Sequence, residues 1–401
     1  MKSARTRSPR ASTGLSIPLK ERLDELRQSR ARQSEEIPRP KIVFVGPEDH
    51  DVSPLEELLS KADIVEVVDR FEEMLEELLY CRQPPLKEQV RAGAAQAIAQ
   101  RDNFVQGHLG DRHPWAVGSW VYLPWRRTLL RLLPETLHQE LRTARNRGWI
   151  EPDEQAAFAD VTVGIVGLSV GSSMALALAQ EGGPRRMKLA DFDRLAGTNL
   201  NRIRATLADL GIPKTHLVAR QIYELDPYAE LFLFPEGVNE GNIGQFFDGP
   251  PCLNAVIDEC DDPITKIKLR LEAKARRIPL LMATDMGDDV MLDVERYDLD
   301  AEYPLLHGRL GPQPERWLER DLTPQERLQL VLTFIGLDCM PQRMVSVGQR
   351  LGRDLDGPPQ LGGTCSMGGA VVSHVLRQIF ADSDEIAGRF RAGPMSPMLP
   401  P

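Results

Sequence analysis

The chain has 401 residues, 42% of them hydrophobic, and a formal net charge of −10. This length sets an expectation of two or three domains, with enough apolar material for a sizeable core. The acidic balance argues against nucleic acid as a partner. No apolar run is long enough to cross a membrane, so no membrane partner is expected, and no signal-like apolar segment opens the chain. Five scattered cysteines (Cys81, Cys252, Cys260, Cys339, Cys365) form no disulfide framework, which fits a reducing, cytoplasmic setting.

Residues 1–40 hold ten Lys/Arg against five Asp/Glu and open with Ser, Arg and Pro, the composition of a disordered basic arm. Lys41 to Gly46 (KIVFVG) reads as a buried strand ending in the turn Gly46-Pro47-Glu48-Asp49. Pro54 to Lys61 and Arg70 to Tyr80 read as amphipathic helices around another apolar run, Ile64 to Val68. Residues 41–130 therefore form a small α/β N-terminal domain with no chemical signature of its own. Trp115, Trp120 and Trp125 crowd into HPWAVGSWVYLPWRR, a density suited to aromatic packing between domains. His108, His113 and Asp111 lack any recognised metal-ligand spacing and read as loop.

The segment from Val161 to Lys214 is the most informative. An apolar, β-branched run (Val161 to Val166) enters a turn at Gly167 and Gly171. A small-residue helix (Ser172 to Glu181) and a short strand (Met187 to Ala190) follow, ending on Asp191. Such a unit places phosphate at a helix N-terminus and a ribose against an acidic side chain. Asn199, Asn201, Arg202 and, twelve positions on, Lys214 add polar and cationic groups beside that place. A nicotinamide cofactor has no leaving pyrophosphate to neutralise, whereas ATP split between its α- and β-phosphates does. Downstream, strands at 231–234, 254–257 and 279–283 alternate with helices to 225 and at 263–276, the pattern of a mainly parallel sheet. Val290 to Tyr297 alternates apolar and polar, as an antiparallel extension at one edge does. Residues 304–314 read as a linker. Helical runs at 325–335 and 369–380 are expected to pack back on the sheet, before a flexible tail from Gly393.

These motifs resemble the ubiquitin-activating-enzyme-like adenylyltransferases of the ThiF, MoeB and HesA type. The family pattern is a glycine loop, D-x-D, S-N-L-x-R-Q, a lysine about a dozen residues later and an aspartate ending a later strand. Here the matching elements are Asp191-Phe192-Asp193, Thr198-Asn199-Leu200-Asn201-Arg202, Lys214 in GIPK and Asp258 in NAVIDECDD. The likeness covers roughly residues 141–298 and a helix near the C-terminus. The loop departs from the family's G-x-G-G-x-G, reading Gly167-Leu168-Ser169-Val170-Gly171, and paired C-x-x-C zinc motifs are absent.

The resemblance implies a Rossmann-like α/β fold with a mainly parallel sheet, a nucleotide-binding domain over 131–303, and a C-terminal helical part over 304–392. It implies that ATP binds at Gly167, Gly171, Asp191, Asn199, Arg202 and Lys214. Arg202 and Lys214 would neutralise the phosphates with Asn199 orienting them, and Asp258 would hold Mg²⁺. Asn146-Arg147 matches a pair that in relatives reaches across a homodimer to the neighbour's ATP, so Arg147 joins the catalytic set. The expected reaction activates a carboxylate, such as the C-terminal glycine of a ubiquitin-like or sulfur-carrier protein, with release of pyrophosphate. Asp261 and Asp262 read as a helix cap before Pro263. Cys260 and Cys365 read as packed thiols rather than nucleophiles. Two other readings stay open on the residues: an NAD(P)- or FAD-binding oxidoreductase, and a catalytically silent nucleotide-binding scaffold.

Overall fold

The protein is represented by a computed structural model that describes residues 17–45, 53–381 and 386–394. The first sixteen residues of the arm, the turn at 46–49 and residues 395–401 of the tail lie outside the described residues. The chain divides into two compact units, one ending at Glu36 and one starting at Ile37.

In the first unit Ile17–Glu35 forms helix α1. This corrects the expectation of a disordered arm over that stretch. Beyond Pro18 the helix carries Leu, Lys, Glu, Arg and Gln without Gly or Pro, residues that lose little freedom in a helix. Arg22 and Glu25 pair across one turn at 3.1 Å.

The second unit contains two sheets. The smaller is built from β1 (Lys41–Val45), β2 (Glu66–Asp69), β3 (Gly118–Leu123) and β4 (Thr128–Leu132), with α2 (Ser53–Lys61), α3 (Phe71–Arg82), α4 (Pro84–Arg91) and α5 (Ala95–Leu109) between them. Its strand order is β1-β3-β4-β2, and only the β2/β4 pair is parallel. Leu55, Leu58, Trp120, Tyr122 and Leu129 form one core cluster, and Phe71, Leu75, Leu78, Leu109, Val117 and Leu133 another. The tryptophans divide their work. Trp120 is buried in the small sheet with half-exposed Trp115 stacked on it, whereas Trp125 donates to Glu224 Oε1 at 2.7 Å. His108 lies within α5, its Nδ1 2.9 Å from the Phe104 carbonyl.

The chain then continues through α6 (Glu135–Arg142), α7 (Pro152–Asp160), β5 (Thr162–Val166), α8 (Gly171–Gln180), β6 (Arg186–Ala190), α9 (Lys214–Leu225), β7 (Glu230–Phe234), α10 (Ile243–Asp248), β8 (Ala255–Asp258), α11 (Pro263–Arg276), β9 (Leu280–Met286) and β10 (Asp289–Glu295). It closes with α12 (Pro324–Ile335), α13 (Gln342–Gly348), α14 (Gly362–Phe380) and β11 (Gly388–Ala392). The larger sheet has the order β11-β10-β9-β8-β5-β6-β7. Strands β9, β8, β5, β6 and β7 are parallel, and β10 and β11 are added antiparallel. From β5 the chain moves outward through β6 and β7, then returns to the other side of β5 with β8 and β9. Strand order therefore reverses between β5 and β8, and a crevice at such a reversal, beyond the carboxyl ends of the strands, is where open α/β sheets bind ligands.

Two boundaries differ from the sequence expectation. β10 is not the sheet edge, because Val290 to Val294 pair with Gly388 to Ala392 in β11. α14 begins at Gly362 rather than Gly369. Glycines there lower helix propensity, but Gly369 lies where an added Cβ would meet the Ser173 carbonyl at 2.6 Å, so α14 packs closely on α8.

Candidate functional site

The site grows from the loop after β5. Gly167 has φ +89°, and a Cβ there would lie 2.3 Å from the Glu259 carbonyl oxygen, so only glycine fits between β5 and the turn after β8. Its N–H donates to the Ala190 carbonyl at 2.8 Å, tying the loop to the end of β6. Gly171 opens α8 without a positive φ, so the shortened loop needs left-handed backbone only at its first residue.

Asp191 follows β6 and is buried. Its Oδ2 accepts from the Leu168 N–H and its Oδ1 from the Asp193 N–H, both at 2.7 Å. The carboxylate thus sets the shape of the loop, and each oxygen keeps a lone pair for a further donor. Burial pushes the Asp191 carboxyl up from its ordinary value, against the pull of the Leu168 N–H and Lys214. Lys214, the first residue of α9, is also buried; its Nζ lies 2.7 Å from Asp193 Oδ2 and 3.7 Å from Asp191 Oδ2.

Arg202 approaches the loop from the other side. Its Nε donates to Ser169 Oγ at 3.0 Å, and one terminal nitrogen donates to the Thr198 carbonyl and to Asn201 Oδ1. Asn199 places it indirectly: the Asn199 side chain accepts from the Ala196 N–H at 2.9 Å, and its carbonyl accepts from the Arg202 N–H at 3.0 Å. Gly167, Asp191, Asn199, Arg202 and Lys214 are therefore linked by short contacts around one loop.

Asp258 is not among them, and the expected Mg²⁺ ligand is corrected by its surroundings. The residue has no solvent exposure. Its Oδ2 accepts from Arg270 at 2.6 Å, and its Oδ1 lies 3.2 Å from Lys266 Nζ and 3.1 Å from Cys260 Sγ. Arg270 reaches on to Glu295 at 2.8 Å. Burial alone would push the Asp258 carboxyl up, but Lys266 and Arg270 hold it below its ordinary value. Both oxygens are thus spent on protein cations, and the residues present do not fit a metal. Among the described residues no group of three or more His, Cys, Asp or Glu is arranged to hold one.

The remaining expectations divide. Asp262 caps α11, accepting from the Thr265 N–H at 2.9 Å. Cys260 and Cys365 are poor nucleophiles, because burial pushes the Cys260 thiol well up and the Cys365 thiol to about 12. Arg147 is half exposed and pairs with Glu140 at 3.4 Å. The neighbouring Asn146 donates to the Glu181 carbonyl, at the C-terminal end of α8. Arg147 thus belongs to the opposite end of that helix from its own chain's glycine loop.

Sequence reasoning passed over two acids. Glu259 follows β8, is held by the Ala283 N–H at 2.7 Å, and burial pushes its carboxyl well above the ordinary range. Asp285 lies near the end of β9, where the Cys365 thiol is 3.5 Å from its Oδ2. Neither stands in a recognisable motif.

The strand order and the loop after β5 define a dinucleotide-type α/β domain. Residues 143–289 match the model of the ThiF family. An uncharacterized protein of Mycobacterium tuberculosis is 34% identical over 354 residues, covering 87% of this chain and 45% of its own length. The tRNA threonylcarbamoyladenosine dehydratase of Bacillus subtilis is 34% identical over 165 residues, 41% of this chain and 62% of that protein. The chain spans about half the length of the first and under two thirds of the second. Among solved structures, Escherichia coli tRNA N6-threonylcarbamoyladenosine dehydratase overlays with a TM-score of 0.44 at 20% identity, over 62% of this chain and 97% of that one. PaaA gives 0.46 at 15% identity, over 65% and 77%.

Proposed function

We propose that residues 131–303 bind ATP and transfer its adenylyl group to a carboxylate, releasing pyrophosphate. The supporting observation is that Arg202 reaches Ser169 of the loop while Lys214 reaches the Asp191 and Asp193 pair that shapes it. The attacking carboxylate is already a nucleophile, so no side-chain base is required. What the site supplies is alignment and positive charge. The α8 N-terminus and the loop receive the phosphates, Asp191 accepts from ribose hydroxyls, and Arg202 and Lys214 face the charge that grows on the departing pyrophosphate. A bound triphosphate competes with Asp193 for Lys214 and with Ser169 for Arg202.

The acyl substrate is the C-terminal glycine of a ubiquitin-like or sulfur-carrier protein or, by analogy with the name of the Bacillus subtilis relative and against the expectation of no nucleic-acid partner drawn from the acidic charge, the threonylcarbamoyl carboxylate of a modified tRNA. Arg147 acts in trans, which makes the working form a homodimer in the cytoplasm. Residues 41–130, the small-sheet part of the same compact unit, choose the substrate. The test is ATP–pyrophosphate exchange together with an ATP-dependent rise in melting temperature. Loss of exchange in Arg202→Ala and Lys214→Ala, with the fold retained, supports the assignment; undiminished exchange in both variants removes it.

A further inference from the structure

Asp285 is a carboxylate that the fold leaves largely unused. It sits near the carboxyl end of β9, at the same mouth of the sheet as Gly167 and Asp191. Its one described hydrogen bond comes from the Cys365 thiol, a weak donor, at 3.5 Å. It takes part in none of the described ion pairs, unlike Asp191, Asp193 and Asp258. Burial pushes its carboxyl up, with Arg202 the charged group that pulls it back. Partly buried and open on one side, this acceptor has room for a donor from outside the chain.

Its position says which donor. Across the mouth the strands run β6, β5, β8, β9. Asp191 closes β6, the loop follows β5, and Asp285 lies on β9. Three strand spacings, roughly 14 Å at ~4.8 Å each, separate the two aspartates across the sheet, and the register sets Asp285 two residues further along its strand, for roughly 16 Å in all. That is about the span of a ribose, an α-phosphate and an acyl group laid end to end, with a hydrogen bond at each end. With ribose at Asp191 and phosphates between Lys214 and Arg202, the β9 side is left to the acyl substrate. A bare carboxylate approaching Asp285 meets like charge, which a donor beside the reacting carboxylate offsets.

We infer that Asp285 accepts a hydrogen bond from a nitrogen on the carbon adjacent to the substrate's carboxylate, so that the site selects α-amino-acyl carboxylates. Resting on the adenylation reading, this names the shared chemistry of its substrates: a C-terminal peptide residue and a threonylcarbamoyl group both carry that N–H. Asp285 is a specificity residue that touches substrate and takes no part in bond making.

The test measures ATP–pyrophosphate exchange with a pentapeptide ending in Gly-Gly against the same peptide with glycolate as its last unit, and with N-carbamoylthreonine against its oxygen counterpart. Each pair keeps the carboxylate and replaces one N–H by oxygen. A site built around a buried acceptor rejects the analogue that lacks the donor. Wild type should favour at least one nitrogen compound by ~10-fold or more in kcat/KM. Asp285→Ala should remove the preference through KM, whereas Asp285→Asn, which keeps an acceptor oxygen, should restore part of it. An equal preference in wild type and Asp285→Ala overturns the inference, as does exchange in wild type that ignores the substitution of N–H by oxygen. If ATP raises the melting temperature but neither nitrogen compound supports exchange, the Asp285 inference falls while the nucleotide site stands. If ATP neither binds nor exchanges, the adenylation reading falls first.

Discussion

Two strand-end aspartates, 67 positions apart, have opposite fates. Asp191 and Asp258 both close parallel strands, and both are buried. Around Asp191 the partners are backbone N–H groups and Lys214, whose other partner, Asp193, keeps about half of its side chain in solvent. That network opens outward and can exchange partners with an anion. Around Asp258 the partners are Lys266, Arg270 and, beyond it, Glu295, with Arg270 and Glu295 fully buried. That network is closed and fixes α11 against β8 and β10. An acid at the end of a strand is thus a ligand candidate only where its counter-charge can be released.

The comparison is broken most forcefully at Arg270. Arg270→Met should cost about 3–5 kcal/mol, because it leaves Glu295 buried without a cation and Asp258 with Lys266 alone. Denaturant unfolding measures this, and a loss under 1 kcal/mol would show that the closed network is dispensable. Lys214→Ala should behave the other way, with exchange reduced about 100- to 1000-fold, the usual effect of losing a well-placed electrostatic donor. Its circular dichroism should remain that of wild type, and a collapsed spectrum would place Lys214 among the structural charges.

Acid sharpens the contrast. The folded-state value of Asp258 is held below that of the unfolded chain. Its contribution to stability is therefore complete above the unfolded carboxylate value, ~3.9, and is lost as pH falls through the folded value. In Arg270→Met the same carboxyl is released upward, so the stability gap between variant and wild type should narrow as pH falls below ~4. A gap that widens on acidification contradicts the closed-network account. The smallest effect belongs to Asp262→Ala, which removes the cap of α11 at a cost of ~1 kcal/mol without altering exchange. A thermal melt paired with the exchange assay checks it.

Much of the nucleotide half was legible. The β5–α8–β6 unit announces itself through a β-branched run, a glycine turn and a small-residue helix, all local signals. Lys214 and Arg202 stood out because motif order constrains them to one mouth of a parallel sheet. Asp258 misled for a physical reason: its neutralising partners, Arg270 and Glu295, come from a helix turn and a strand whose facing sides only tertiary packing decides. Asp285 carried no signal at all, since a lone aspartate in an apolar strand resembles any strand-end residue. The N-terminal half was read in outline only. β3 hid inside a tryptophan-rich segment with β4 directly after it, and α5 mixes polar and apolar residues so that only Ala97 and Leu109 are buried. β11 fell at the end of the C-terminal helical part expected over 304–392, where no strand was foreseen. Arg389 is held by Asp293, a pairing 96 residues distant.

The meeting of α8 with α14 has an architectural consequence. These helices run side by side, Gly369 against Ser173 and Arg377 near Glu181, and α14 starts where Asn201 reaches the Gln360 carbonyl at 2.7 Å. The segment that carries Asn201 and Arg202 is therefore backed by chain translated long after the glycine loop. A fragment stopping at residue 303 would lose that backing and bare the ladder of β10 over Val290 to Val294, an unpaired edge prone to sticking. The half that carries the candidate site is not a severable module; it is complete only when the ribosome has delivered nearly the last residue of the sheet.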